Sequence, residues 1–446
     1  MTDKRKLRKN IEFEVAPSFI EGSKKLDKLE CLRINKLKTL FFLLLLNIFF
    51  PLLIYWSVKL RRYLIFSSCE LKKASFFYLK NQDNTVTVSK SRMIVVKKSH
   101  NEPLKYVIGF NYRSLNYYLE KEKQVFKVLE LEIQINYNEI LTKYGAGLTP
   151  ELYEEYKKAF GKCSIDIKVP SLFQSFMKEI ISPINAFQIF SIALWFVDQY
   201  YIYASVVLFL SIVSAFLNLS IIRSHIKNLS TLVKHENFVE VVRVINYKKE
   251  KQRINSTELV PGDVIILSKN LTLPCDCLLL TEKVIIDEIN LTGEATAKNK
   301  FAIPYCEKIY NFDDSYHTLL EGSEIVQILG VSEDTALGLV IRTGFYGLKG
   351  EIFRNIIYSS NNRLSYLKVQ MIKYFLIMLF LAVLGNVLKL CFRSADEELD
   401  VQIYEYFDLI TVAVAPALPT CIFIAISISL IEMKKKILIA IHLINC

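Results

Sequence analysis

Three consecutive residues, Thr292-Gly293-Glu294 in the stretch "NLTGEA", could take part in phosphate chemistry. Glycine adopts backbone conformations closed to other residues and lets a loop approach another surface closely. A carboxylate within hydrogen-bond reach can then orient a water for in-line attack on a phosphorylated side chain. Thr-Gly-Glu alone is a common tripeptide, so an exposed turn glutamate is the alternative interpretation.

The second stretch of interest is an apolar run interrupted by prolines. Residues 408–430 read "DLITVAVAPALPTCIFIAISISL", with Pro416 and Pro419 near the middle. Each proline removes an N–H donor and displaces a carbonyl one turn earlier, and backbone oxygens freed at membrane depth are tolerated where they line a cavity. The two prolines, together with the acid Asp408 before them, favour a binding site over a simple kink.

The composition indicates an integral membrane protein. Of the 446 residues 52% are hydrophobic, and the mean hydropathy is +0.27, with the excess concentrated in a few long runs. The net charge is +11, but many Lys and Arg residues flank the apolar runs, so the positive-inside rule explains them and no nucleic acid is expected as a partner. The nine cysteines show no metal-ligand or disulfide spacing, so no metal site is predicted.

Five apolar stretches are candidate membrane segments. The first, residues 39–58, has basic residues on both sides and Pro51 inside, which favours a re-entrant hairpin over a single pass. The second and third form a hairpin whose short outer turn carries Asp198, and the fourth and fifth are separated by the acidic segment "RSADEELD". The charge asymmetry predicts that residues 223–373 and both termini are cytosolic.

The soluble segments show two different patterns. Residues 59–179 combine alternating, strand-like runs with "TPELYEEYKKAFG", which has helical spacing and Thr149 as its cap, and they predict a small α+β domain. Residues 223–373 contain short strands separated by turn signals, including Pro261-Gly262-Asp263, and predict a compact β domain. The expected organisation is a polar N-terminus (1–38), the first apolar segment (39–58), the amino-terminal domain (59–179), a transmembrane hairpin (180–222), the β-rich domain (223–373), a transmembrane helix (374–392), a lumenal loop (393–406), a proline-broken transmembrane helix (407–433) and a cytosolic stub (434–446).

A two-helix hairpin, a β domain with Pro-Gly-Asp and Thr-Gly-Glu, and a span broken at Pro-Ala-Leu-Pro together resemble the amino-terminal half of a P-type ATPase. The finer resemblance is to type V, subgroup B, associated with polyamine export from lysosomal or vacuolar compartments; segments 110–127 and 165–204 are similar to that group. The resemblance implies an α-helical multi-pass membrane protein with a cytosolic β-rich actuator domain and a small α+β amino-terminal domain. It implies that Thr292, Gly293 and Glu294 serve hydrolysis of an aspartyl-phosphate. The substrate path it implies is lined by Asp198, Asp408, Pro416, Ala417, Leu418 and Pro419.

Several positions depart from the family pattern. Ala295 replaces the serine of Thr-Gly-Glu-Ser, and Ala415 stands where subgroup B has a further proline. Ala417 argues against subgroup A, which has a glutamate in the middle of that motif. The aspartate that the family phosphorylates lies in Asp-Lys-Thr-Gly, and no such sequence occurs in the 446 residues.

Two classes of function therefore remain open. The first is the amino-terminal half of an ATP-driven transporter of a polyamine or metal cation in an endomembrane, with ATP and Mg²⁺ used by the complete family member and a separate carboxy-terminal half supplying the rest. The second is a truncated, non-catalytic membrane scaffold or regulator, because this chain alone is expected to bind neither ATP nor Mg²⁺ and to remain unphosphorylated. A third interpretation is a subgroup A-like dislocase of transmembrane helices.

Overall fold

The structure of the protein is a computed structural model, and its contacts divide the chain into two compact units. The first unit comprises residues 1–166 and 233–359, and the second comprises residues 167–232 and 360–446. The residues described are 26–34, 49–81, 86–97, 99–100, 102–120, 125–133, 135–167, 169–233, 237–294, 296–311, 316–330, 335–358, 362–391, 399–413, 421, 424–425, 428–429 and 431–433.

The described residues form strands in the first unit and helices in both. The strands are β1 (Leu26–Ile34), β2 (Phe66–Ser68), β3 (Phe76–Asn81), β4 (Val86–Lys90), β5 (Arg92–Val96), β6 (Lys105–Tyr112), β7 (Leu115–Glu120), β8 (Val125–Val128), β9 (Phe238–Ile245), β10 (Lys248–Asn255), β11 (Val264–Ser268), β12 (Asp276–Leu279), β13 (Lys283–Asp287), β14 (Lys298–Phe301), β15 (Thr318–Leu319), β16 (Glu324–Leu329) and β17 (Thr335–Arg342). The helices are α1 (Phe49–Trp56), α2 (Val58–Leu64), α3 (Tyr137–Tyr144), α4 (Pro150–Phe160), α5 (Leu172–Ile180), α6 (Pro183–Val197), α7 (Tyr201–Val233), α8 (Ile289–Thr292), α9 (Leu348–Tyr358), α10 (Asn362–Cys391) and α11 (Leu399–Ala413).

The amino-terminal part of the first unit contains two four-stranded antiparallel sheets, with strand orders β2-β1-β3-β4 and β5-β6-β7-β8. Alternating apolar residues of their strands meet in a core that includes Phe77, Phe110 and Phe126, whose ring centroids are 5.1–5.5 Å apart. Strand β1 pairs with β3, so part of the segment predicted as a polar N-terminus is sheet.

The predicted β-rich domain is present. Its main sheet has the order β10-β9-β11-β17-β12-β15, and a smaller sheet has the order β14-β13-β16. Strand β9 reads "FVEVVRVI", and its alternate residues Val239 and Val241 are buried while Glu240 is exposed, as expected for a sheet with one face in the core. The hydrophobic core between the sheets also contains Cys275 and Cys277.

Helices α3 and α4 join the amino-terminal part to the β-rich domain through a shared core. Thr149 Oγ1 accepts a hydrogen bond from Leu152 N, so the predicted cap of α4 is present. Tyr144 and Tyr156 are fully buried in a cluster with residues of β11, β12 and β17. The Tyr153 hydroxyl donates to the carbonyl of Glu258 across this junction (3.2 Å). Such a core makes the two parts one compact body.

The second unit consists of helices. Helix α5 meets α6 at a bend, and the axes of Leu172–Ile180 and Asn185–Val197 differ by 70°. Ser182 caps α6, and Pro183 follows at its first position, which explains a break there. Among the described residues, Tyr201–Thr231 and Ile372–Lys389 are long and apolar enough to cross a membrane, and the bent pair would make a third.

Parts of the predicted membrane segments are outside the described residues. These are residues 39–48 of the first apolar segment, residue 392, and residues 414–420, 422–423, 426–427 and 430 of the last segment, which include the whole Pro-Ala-Leu-Pro motif, 416–419. Within 49–64 the helix continues through Pro51, and the interruption comes at Ser57 instead. Ser57 Oγ accepts from Leu60 N (3.2 Å), which caps α2.

Candidate functional site

The Thr-Gly-Glu sequence lies in the loop that connects β13 to β14. The two strands pair from Lys283↔Phe301 to Ile286↔Lys298, so residues 287–297 form the connection. Asp287 Oδ1 accepts a hydrogen bond from Ile289 N (2.8 Å), which starts the single helical turn α8. The loop is therefore held at its base by a ladder and at its start by a side-chain bond.

Gly293 ends this helical turn in the left-handed region of backbone space. Its φ is +75°, and its N–H donates to the carbonyl of Ile289 (2.9 Å). A Cβ built at this position would meet no atom within 4 Å. The glycine is therefore favoured by backbone conformation, and not by close packing within the chain.

Glu294 follows at the exposed end of the loop. Its side chain is 60% exposed, and Oε2 lies 3.0 Å from Lys298 Nζ. An exposed ion pair of this kind contributes little to stability, but it restricts the directions that the carboxylate takes. Such a carboxylate can still accept a hydrogen bond from a water or from a partner surface.

Two lysines of β14 and one buried glutamate form an ion-pair cluster beneath Glu294. Lys298 Nζ also lies 3.1 Å from Glu288 Oε2, and Lys300 Nζ lies 3.1 Å from Glu288 Oε1. The side chains of Glu288 and Lys300 are only 3% and 4% exposed, whereas that of Lys298 is 36% exposed. This set of four residues, Glu294, Lys298, Glu288 and Lys300, is called the loop cluster below.

The pKa values of the two lysines of the loop cluster shift in opposite directions, for different reasons. Hydrogen bonds to Glu294 and Glu288 raise the pKa of Lys298. Burial lowers the pKa of Lys300, and the charge of Glu288 opposes that shift. The protonated form of Lys298 is therefore stabilised by its two carboxylate partners, whereas the protonated form of Lys300 is stabilised only by Glu288 against the effect of burial.

The sequence analysis found Glu294 but missed the three residues beneath it. One signal was available: "KNK" places Lys298 and Lys300 on the same face of a strand, because side chains alternate along it. Glu288 gave no such signal, since its burial depends on how the loop folds back over β14. The structure brings all of them together with Glu294 and leaves Asp263 elsewhere in the domain.

Asp263 of the Pro-Gly-Asp turn has a structural position in the core. Gly262 has φ +97°, and the fully buried Asp263 receives Arg243 Nε at 3.1 Å and Nη2 at 3.0 Å. Val260 N donates to the same carboxylate (3.1 Å), and the Arg243 guanidinium lies 3.8 Å from the ring centroid of Tyr153. Burial raises the pKa of Asp263, and the two bonds from Arg243 oppose that shift.

Two of the six predicted path residues, Asp198 and Asp408, are described, and both belong to the second unit. Asp198 is the C-cap residue of α6, and Asp408 lies in α11. Asp198 Oδ2 and Asp408 Oδ1 are buried without a hydrogen-bond partner. The rings of Phe190 and Phe407 pack edge to face, with centroids 5.7 Å apart, which holds α6 against α11. The other four predicted path residues lie outside the described residues.

The described residues do not form a site for a metal cofactor. No group of three His, Cys, Asp or Glu side chains among them could hold a metal ion. The loop cluster contains as many ammonium groups as carboxylates, which disfavours Mg²⁺ there. The loop cluster therefore does not suit Mg²⁺.

Comparison with known proteins agrees with this domain. Residues 236–356 match the family model of the P-type ATPase actuator domain, which covers the β-rich sheets and the Thr-Gly-Glu loop. The chain belongs to the P-type ATPases.

Curated relatives refine this assignment to the type V members. The chain is 30% identical to the human "Polyamine-transporting ATPase 13A3" over 367 residues, which are 79% of this chain and 29% of that protein. It is 31% identical to the human "Probable cation-transporting ATPase 13A4" (72% of this chain, 27% of that protein). It is 30% identical to the "Vacuolar cation-transporting ATPase YPK9" of Saccharomyces cerevisiae (74% and 23%). The chain thus spans about a quarter of the length of these relatives (23–29%), and the predicted type V resemblance is confirmed.

Proposed function

We propose that this chain carries the actuator function of an ATP-driven P-type transporter of a cationic substrate. The observation that supports this most directly is the position of Glu294: an exposed carboxylate at the tip of a loop whose base is fixed by the β13–β14 ladder. A carboxylate so placed can reach a surface outside the domain, whereas a merely structural carboxylate such as Asp263 is buried.

In this proposal Glu294 positions the water that hydrolyses an aspartyl-phosphate. The carboxylate accepts a hydrogen bond from the water and takes up its proton as the oxygen attacks phosphorus in line with the departing aspartate. Gly293 supplies the turn that projects Glu294, and Thr292 ends the helical turn before it. The phosphorylated aspartate belongs to another part of the protein or to a second polypeptide, because residues 1–446 contain no Asp-Lys-Thr-Gly.

The proposed substrate is a polyamine or another cation, moved across an endomembrane. The names of the relatives include a polyamine-transporting and a vacuolar cation-transporting ATPase. The acids Asp198 and Asp408 suit a cationic substrate, because an acid in a membrane segment is costly unless a cation or partner meets it. Pro416, Ala417, Leu418 and Pro419 complete the proposed path in a multi-pass membrane protein whose actuator domain faces the cytosol.

The test compares phosphoenzyme turnover in membranes from cells that express the chain from its own gene. Membranes are labelled with ATP carrying a radioactive γ-phosphate, chased with unlabelled ATP, and the hydroxylamine-sensitive acyl-phosphate is followed over time. Glu294→Gln keeps the shape of the side chain but removes the base, so its label should decay about a hundredfold more slowly than that of the wild type. Glu307→Gln, an exposed carboxylate of the same domain, is the matched control and should decay normally.

Two results would count against this function. Equal decay in Glu294→Gln and Glu307→Gln would remove Glu294 from the reaction. The absence of any acyl-phosphate that co-purifies with the chain would instead favour the non-catalytic scaffold or regulator.

A further inference from the structure

A groove of about 190 Å³ lies within the second unit, between helices α5, α6 and α7. Most of the surface of its wall is apolar and comes from Phe176, Ile180, Ile189, Ile192, Leu208 and Ile212. Since a water molecule takes ~30 Å³ in the liquid, the groove has room for a chain of several carbon atoms. The helices around it have the length and composition of membrane spans, so the groove suits a lipid acyl chain better than a water-soluble ligand.

One end of the groove is polar. Asn185 Nδ2 donates to the Glu179 carbonyl (2.8 Å), and Asn218 Nδ2 donates to Glu179 Oε1 (3.5 Å), so the α5–α6 bend and α7 meet at this end. The wall continues along α6 from Asn185 to Ile192, a distance of about 10 Å at the rise of an α-helix. Among the lining residues that the structure describes, Glu179 alone carries a formal charge. The groove is therefore an apolar slot with a carboxylate at one end.

The bend between α5 and α6 places this polar end at the membrane surface. The two helix axes differ by 70°, so α5 lies close to the membrane plane when α6 crosses the membrane. Helix α5 exposes the apolar residues Leu172, Phe173 and Phe176 together with the basic residue Lys178. Exposed apolar and basic side chains on one short helix are typical of helices that lie in the membrane interface. Glu179, at the end of α5, is therefore at the depth of the lipid headgroups.

Charge complementarity then selects the headgroup. An acid at the edge of the membrane is costly unless a cation or a hydrogen-bonding partner meets it. The primary ammonium of an ethanolamine headgroup offers three N–H donors to the Glu179 carboxylate, whereas the quaternary ammonium of choline offers none. Lys178, exposed one residue earlier, offers a positive charge to the phosphate of the same headgroup. An anionic headgroup without an amine would instead bring a second negative charge close to Glu179.

We propose that this groove holds one acyl chain of a phosphatidylethanolamine molecule, with the Glu179 carboxylate accepting hydrogen bonds from its ammonium group. The site requires that α6 and α7 cross the membrane, but it does not require that the chain takes part in transport. It is also separate from the proposed substrate path, because Asp198 lies at the opposite end of α6. A lipid bound in this way contacts α5, α6 and α7 at once and stabilises the bend between α5 and α6.

The experiment is native mass spectrometry of the purified full-length chain in detergent micelles, titrated with dioleoyl phosphatidylethanolamine or dioleoyl phosphatidylcholine. The two lipids have the same acyl chains, so a difference in affinity reports the headgroup alone. We expect the ethanolamine lipid to bind about tenfold more tightly, because it adds a hydrogen bond to a charged group. Glu179→Gln should abolish this preference. Glu405→Gln, which changes a partly exposed carboxylate of α11, is the matched control and should retain it.

A second pair of variants tests the groove itself and keeps the proposal testable if Glu179→Gln alters the fold. Ala215→Phe places a ring in the wall and should weaken the binding of both lipids. Ala193→Phe adds the same ring at an exposed position of α6 outside the wall and should leave binding unchanged.

Four results would overturn the proposal. The first is equal affinity of the wild type for the two lipids, and the second is an unchanged preference in Glu179→Gln. The third is equal weakening of lipid binding in the two phenylalanine variants. The fourth is binding of dioleoyl phosphatidylglycerol as tight as that of the ethanolamine lipid, which would show that Lys178 and not Glu179 selects the headgroup. None of these results bears on the decay of the acyl-phosphate, so the two proposals fail independently.

Discussion

The buried pair of Arg243 and Asp263 should be the most sensitive polar contact of the actuator domain. Asp263→Asn removes the charge that faces the guanidinium and leaves Arg243, whose side chain is 9% exposed, buried without a counter-charge. Breaking a buried pair by removing one partner costs about 3–5 kcal/mol. Arg243→Leu should cost at least as much, because it also removes the contact with the ring of Tyr153.

The assay uses the cysteines of the actuator core as reporters. Cys275 and Cys277 are fully buried, and their thiols react with a labelling reagent only when this domain opens. The hydrogen bond between the two thiols and their burial raise the pKa of Cys275, which slows the reaction in the intact fold further. Mass spectrometry of the peptide that contains both residues gives the labelling rate. Since a tenfold change corresponds to ~1.4 kcal/mol, the two single variants should label roughly 10²–10³-fold faster or more.

Two control variants make the reasoning refutable. Glu240→Gln changes an exposed carboxylate on β9, the strand that carries Arg243, and should label like the wild type. The double variant Arg243→Leu, Asp263→Leu removes both charges and should recover part of the loss, because no unpaired charge stays buried. If Asp263→Asn labels no faster than Glu240→Gln, the pair is not a buried structural contact and the argument fails.

Three further predictions concern Gly293, the loop cluster and the junction with α4. Gly293→Ala should cost about 1 kcal/mol because its φ of +75° is strained for alanine, and hydrogen exchange of the loop peptide should quicken, while Gly293→Asn should have a smaller effect. Lys300→Met should lower the unfolding temperature more than Lys298→Met, because Lys300 is the buried partner of Glu288; equal shifts would contradict the cluster geometry. Burial, with two nearby lysines, lowers the pKa of His100 from 6.5 to about 4, so the folded state binds fewer protons than the unfolded chain between these values. Stability should therefore fall as the pH falls from 6.5 to 4, and His100→Gln should flatten that slope in thermal denaturation at a series of pH values.

Local patterns predicted the parts of the fold that depend on neighbouring residues. A few consecutive residues predict the alternating burial of β9 and the turns at Pro-Gly-Asp and Thr-Gly-Glu. The structure has each of these features at the predicted residues. The cap at Thr149 is likewise a local contact, between residues three positions apart. These features are set by backbone preference and strand periodicity, which act within a single element.

Contacts between distant residues were not predictable in the same way. Asp276 accepts from the backbone N–H of Glu321, 45 positions later, because β15 pairs with β12 and places Glu321 beside it. The sequence analysis also separated the amino-terminal domain from the β-rich domain, whereas the buried Tyr144 and Tyr156 belong to a core shared by both. An apolar helix face predicts that something covers it, but the pattern does not say which surface does.

In the loop cluster, buried residues hold the base of the loop that carries the exposed carboxylate of Glu294. Exposure of the side chains rises from 4% at Lys300 and 3% at Glu288 to 36% at Lys298 and 60% at Glu294. The buried pair, Lys300 and Glu288, stays together because separating it would leave two desolvated charges without a counter-charge. The exposed pair, Lys298 and Glu294, can separate into water at little cost, because exposed ion pairs are worth ~1 kcal/mol or less. A loop built in this way keeps its base when Glu294 releases Lys298 to accept a water or a partner group. Removing the charge of Lys298 should therefore change the direction of the Glu294 side chain without unfolding the loop. Removing the charge of Glu288 should change the direction of Glu294 and also unfold the loop.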